Sequence, residues 1–112
     1  MQKPEIRQEP MYQLLREGKI EAFNSRRAAG EECDLVNADL RGLDLRCTDA
    51  KGLDMSNTYL RQTDLRGLDL SQTRLEGASI SGAKISGTYF PNELSPEELT
   101  LSLVHGTRLR YR

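Results

Sequence analysis

The chain is 112 residues long, with 16 Lys plus Arg against 17 Asp plus Glu and a formal net charge of −1. That is one domain with one modest core, and near-neutrality excludes a field that gathers nucleic acid or anionic lipid, as well as the strong acidity of a nucleic-acid mimic. One His and two cysteines exclude a disulfide framework and leave almost no material for His-based metal sites or His triads.

In chain order, residues 1–10, MQKPEIRQEP, contain no apolar targeting segment, and no stretch approaches membrane-spanning length. With only Cys33 and Cys47, a reducing, cytoplasmic location without membrane association is expected. Pro10 opens a predicted helix with Met11, Leu14 and Leu15 on one face and Gly18 as its end. A second short helix over residues 20–29 offers Ile20 and Phe23, with Gly30 as its stop. Residues 1–32 are thus read as a helical cap.

From Cys33 to Asn92 the chain divides into twelve fives without insertion or deletion: CDLVN, ADLRG, LDLRC, TDAKG, LDMSN, TYLRQ, TDLRG, LDLSQ, TRLEG, ASISG, AKISG and TYFPN. The third residue of every unit is apolar, from Leu35 to Phe90, and the first is always Cys, Ala, Leu or Thr. The second is Asp in seven units and the fifth is Gly in six. A period of five fits neither a helix nor a plain strand. It fits a short extended side followed by a corner. The first and third residues point inward and the second outward, and Gly or Asn at the fifth place tolerates a positive φ. Four sides make a turn of about twenty residues, so the twelve units predict three stacked turns roughly 15 Å tall at a strand spacing of ~4.8 Å.

Residues 93–112 follow as a second cap. Ser95-Pro96-Glu97-Glu98 reads as an N-cap, a first-turn Pro and a capping-box Glu, and Gly106 as the stop. Leu99, Leu103 and Val104 would face the coil. Leu99, Leu101 and Leu103 also alternate as in a strand, so strand remains the alternative to the favoured helix. The tail TRLRYR alternates Arg108, Arg110 and Arg112 against an apolar edge of Leu109 and Tyr111. That edge has no remaining repeat to pack on. An unpaired strand edge invites a second copy, which makes Leu109 and Tyr111 the candidate dimerisation residues; the alternative is that TRLRYR folds back on its own coil or stays disordered.

ADLRG, TDLRG and their neighbours resemble the pentapeptide repeat family, whose pattern is A(D/N)LXX. The resemblance covers 60 of the 112 residues and implies an all-β solenoid: a right-handed, quadrilateral β-helix of about three coils, with α-helical caps at both ends. Leu43, Leu53 and Leu68 depart from it by occupying the first place, where the family keeps a small residue. The flanks TYFPNELSPEEL and HGTRLR resemble a short bacterial subgroup. The resemblance also implies dimerisation through the C-terminal end and, through the family's best-known members, DNA mimicry toward DNA gyrase and topoisomerase IV.

The residues themselves favour a different function. The seven aspartates recur by position, mostly two residues before a cation, as a solvated and self-neutralising surface does. Cys33 points inward, Cys47 sits at a corner, neither unit contains His, and His105 suits a helix C-terminus. No phosphate loop or metal-spaced cluster exists, so no catalysis, metal or cofactor is expected. Taking every fourth unit sorts the outward residues onto four faces with formal charges of −2, +1, +1 and −1. No face is a dense run of carboxylates, so the DNA-mimic reading is the alternative rather than the choice, and direct nucleic-acid binding is not expected. The preferred reading is a non-enzymatic protein-interaction or scaffold module. Its candidate surface is the second face, where Tyr59 replaces the usual Asp between Arg41 and Arg61. The plainer account of Tyr59 is flat packing within the stack, and Tyr89 is expected to pack on the C-terminal cap.

Overall fold

The structure, a computed structural model, describes residues 9–112. The first eight residues of the expected N-terminal cap, most of MQKPEIRQEP, lie outside the described residues. Among the described residues no helix is long and apolar enough to cross a membrane.

The five-residue period becomes a turn repeated in space. In most units the carbonyl of the third residue accepts the N–H of the next unit's first residue, as from Ala38 to Leu35 at 3.0 Å and from Ala78 to Leu75 at 3.0 Å. A turn closed this way can require a positive φ at its third residue, here the fifth of the unit. Ten of the twelve fifth residues are left-handed: six glycines, together with Asn37, Cys47, Asn57 and Gln62 at φ 58–67. The corner therefore tolerates non-glycine residues, at a conformational cost that the stacking offsets.

Successive turns stack in a twenty-residue register. Leu40 donates its N–H to Tyr59 O at 3.0 Å and Tyr59 to Ala38 O at 3.1 Å, and Leu60 and Ser79 repeat the pattern one turn further on. Parallel bridges join Asp39 to Tyr59 to Ser79, Asp44 to Asp64 to Lys84, Asp54 to Arg74, and Asp69 to Tyr89. Each bridge is isolated. This corrects the expected β content: among the described residues there is no extended strand or continuous sheet. The reason is geometric, because a left-handed corner in nearly every unit leaves room for only one bridging residue per side.

Inside the stack, Leu35, Leu40, Leu45, Met55, Leu60, Leu65, Leu70, Leu75 and Ile80 are all buried, while Ile85 and Phe90 are only half-buried. Leu53 and Leu68, the bulky first-place residues, are buried too, whereas Leu43 is half-buried. A void of about 10 Å³ lies against Ala50, Leu53 and Thr48.

Both ends are capped. Helix α1, Pro10–Arg16, starts on its proline and buries Met11, Tyr12 and Leu15, and α2, Ile20–Ala28, buries Phe23. Their polar groups replace a missing coil above: Tyr12 Oη donates to Asp39 O at 2.6 Å, while Asn24 donates to Cys47 O and accepts from Asp49 N–H, each at 2.8 Å. Helix α3, Pro96–His105, settles the ambiguity over residues 99–103 in favour of helix. Ser95 accepts the Glu98 N–H and Gly106 closes it at φ 74. Val104 faces outward rather than toward the coil, at 64% exposure.

Below the last turn, Ser102 Oγ accepts the Ile80 N–H at 3.0 Å, Leu103 O the Gly82 N–H at 3.1 Å and Leu109 O the Gly77 N–H at 2.7 Å. Leu109 N–H returns to Ala78 O, and Tyr111 Oη accepts the Leu75 N–H at 2.8 Å. The expected free apolar edge is therefore corrected: Leu109 is 1% exposed and Tyr111 half-buried, because the tail takes up backbone groups of its own coil. The cover is partial. The N–H groups of Ile85, Gly87 and Phe90 and the carbonyls of Ala83 and Thr88 have no partner among the described residues. Tyr89, expected against the cap, stands out at 67% exposure.

Candidate functional site: a basic cleft on the second face

The seven second-place aspartates behave alike. In each, Oδ1 accepts the backbone N–H two residues later, from Asp34 with Val36 at 3.1 Å to Asp69 with Ser71 at 2.9 Å. Where the fourth residue is Arg, its guanidinium also grips both carboxylate oxygens, as in Asp39–Arg41, Asp44–Arg46 and Asp64–Arg66. The neighbouring arginine holds all three carboxyls below their usual range, against the smaller opposing effect of burial. These aspartates brace their own turns.

On the second face the pattern breaks once. Asp39 is an ordinary unit, its side chain only 6% exposed and locked to Arg41 at 2.7 Å. One turn below, Tyr59 stands where an Asp would, so Arg61 has no carboxylate beside it. The Arg61 side chain is exposed and makes no hydrogen bond or ion pair with the described residues, while its backbone carbonyl accepts the Gly42 N–H at 2.9 Å. The vacated place is taken by the tail: Arg108 lies over the Tyr59 ring, 5.1 Å from its centroid, and donates to Tyr59 Oη at 2.8 Å and to Gly77 O at 2.8 Å. Gly106 brings the chain in close, since a Cβ there would stand 3.2 Å from Arg61 Nη2. Together Arg41, Tyr59, Arg61, Ser79, Gly106 and Arg108 line an open cleft of about 430 Å³.

The structure thus brings Arg41, Tyr59 and Arg61 to one cleft. Flat packing of Tyr59 is also present in part, since the residue is half-buried beneath Arg108. Sequence reasoning missed Arg108, forty-nine residues from Tyr59, and Arg16, whose Nη1 lies 3.5 Å from Asp39 O at the top of the face. No periodic signal points to either, because both belong to the caps. With them the face holds four arginines against one carboxylate. Leu109 and Tyr111 belong to the cap beneath. Among the described residues no three His, Cys, Asp or Glu side chains gather as a metal site, and no disulfide joins Cys33 to Cys47, which is exposed.

The repeat that builds this cleft is matched by a family model for pentapeptide repeats, in eight copies over residues 31–62 and 54–90. The chain belongs to the pentapeptide repeat family. Comparison with curated proteins and with solved structures finds no match to the chain. Membership accounts for the five-residue unit and its apolar third place. The cleft arises where this pentapeptide repeat protein departs from the pattern, at Tyr59, and where its own tail crosses the departure.

Proposed function

We propose that this pentapeptide repeat protein is a non-enzymatic protein-binding module, a right-handed, four-sided β-helix of three coils that presents its second face to a protein partner. Family membership and the twenty-residue register of the bridges support the β-helix. The observation that carries the surface is the Tyr59 cleft: an aromatic ring between guanidinium groups, in a wall where Asp39 is committed to its own turn and Ser79 to the Gly106 carbonyl. Aromatic and Arg side chains at the centre of a recess are what binding energy concentrates on. The absence of catalysis is inferred from the inventory, with one His at the exposed end of α3 and cysteines set in separate repeat units. Two cysteines with no disulfide between them, Cys47 exposed, fit a reducing compartment such as the cytoplasm.

The DNA-mimic reading has less support. Mimicry of a phosphate backbone needs carboxylates presented outward, and the second-place aspartates are turned onto backbone amides and neighbouring side chains. The test is affinity capture from the native lysate, with mass spectrometry of what co-purifies, repeated with the Tyr59→Ala/Arg61→Ala double variant. The partner is expected to be lost from the variant; retention at unchanged affinity overturns the choice of face.

A further inference from the structure

We infer that the cleft between Arg61 and Arg108 is a carboxylate seat, and that the segment it takes from a protein partner is an acidic peptide. The inference rests on the protein-binding reading of the second face and specifies its chemistry. Two guanidinium groups converge there, and neither has a carboxylate partner among the described residues. Arg108 is held by a carbonyl, a hydroxyl and a ring face, contacts that fix its position without neutralising it. The Arg61 guanidinium makes no hydrogen bond or ion pair with the described residues, so its fork is presented to solvent. Elsewhere on the stack the same side chain in the same place is committed to an Asp two residues before it, as at Arg41, Arg46 and Arg66. The protein therefore displays its own template for what Arg61 lacks: a carboxylate, gripped through two parallel hydrogen bonds. The Asp that would supply it is Tyr59 in this turn, so it must come from outside.

Shape selects a peptide over a nucleic acid. The three bridged residues of the face span only about 10 Å at ~4.8 Å per turn. Of the two adjoining faces, one carries Asp34, Asp54 and Glu76, all exposed, with Glu76 paired to Arg74 at 2.7 Å. A duplex brings a phosphate every ~3.4 Å of helix axis on each strand and would run onto those carboxylates. An extended acidic segment is narrow enough to lie along the cleft and leave them in water. Arg41 at its upper edge is neutralised by Asp39, and Ser79 and the Gly106 backbone form its lower wall.

The test uses the full chain and a fluorescein-labelled peptide of repeated Glu-Gly, with the Gln-Gly peptide as its uncharged counterpart. Anisotropy should show binding of the Glu peptide alone, weakening as salt is raised because the contacts are screened. Amide signals of residues 59–61 and 106–108 should shift as it binds. Arg61→Gln removes no hydrogen bond or ion pair of the folded chain, so its melting curve should match the parent while peptide affinity falls about tenfold, and Arg61→Lys should be intermediate. Equal affinity for the two peptides, or an unchanged affinity in Arg61→Gln, overturns the inference. So does inorganic phosphate that displaces the peptide at concentrations where acetate does not, since the seat would then be one for phosphate. If the peptide fails to bind while a captured partner still depends on Tyr59, the carboxylate seat falls and the protein-binding reading stands. If the peptide binds but capture ignores Tyr59 and Arg61, the choice of contact face falls instead.

Discussion

An aspartate that spends one oxygen on a backbone amide and both on an arginine is a structural part, and its protonation is a structural event. Asp39, Asp44 and Asp64 are held below the ordinary carboxylate range chiefly by their arginine neighbours, Asp69 by Ser71, and Glu98 by Arg110. A group whose folded pKa is depressed contributes stability above its unfolded pKa of about 4, and that contribution fades as pH falls through the lower folded value. Thermal melts should therefore be flat from neutrality to about pH 5 and move to lower temperature from about pH 4 downward. A melting temperature unchanged to about pH 2 would contradict this account. The sequence shows these aspartates plainly as a repeated place beside cations. It does not show the amide each one holds, because an Asp at an exposed position reads equally well as a solubilising charge. The short reach of Asp to its own backbone was the usable clue, present in all seven units.

A single coil is the unit on which packing acts, and its volume is set by residues that do not follow the repeat. Ala50 is the smallest third-place residue, and Leu53 comes immediately after it into the same buried layer, with Leu15 of α1 lining the same region. The void beside them, about 10 Å³, is no larger than a water-sized probe. Ala50→Leu would restore the repeat's preferred residue and still cost about 1–3 kcal/mol, because the added carbons exceed the space. Denaturant unfolding decides it; a gain in stability would mean that the layer can open to admit them. Much at this scale was legible. The corners, the inward places and α3 follow from Gly and Asn placement, from the unbroken apolar third place, and from Ser95, Pro96 and Gly106. Strand content was not, because alternation over three residues looks the same whether one residue bridges or several do.

At the scale of the whole molecule, the ends determine what the repeat cannot. The last six residues satisfy amides of Leu75 and Gly77 and bury Leu109 against the stack. Arg110 adds a bidentate grip on Glu98 of α3 at 3.0 Å. Ending the chain at Gly106 should then lower stability by about 2–5 kcal/mol, the range for emptying a buried Leu site, as read from denaturant melts; a truncated chain as stable as the parent would show the tail to be dispensable. A free edge was the natural reading of TRLRYR, since its alternation says which residues are apolar and nothing about the coil they return to. The same blindness hid Arg108 beside Tyr59: a contact between distant segments leaves no period. The cap's incompleteness has its own consequence. Beneath residues 75–82 the lower rim is covered by the cap, and along residues 83–90 the N–H groups of Ile85, Gly87 and Phe90 and the carbonyls of Ala83 and Thr88 meet no partner among the described residues. Loss of order would begin at that quarter, around Ile85 and Phe90, and spread diagonally. The wall that carries Tyr59 stands on the covered side, so it would keep its shape while the opposite corner of the molecule was already coming undone.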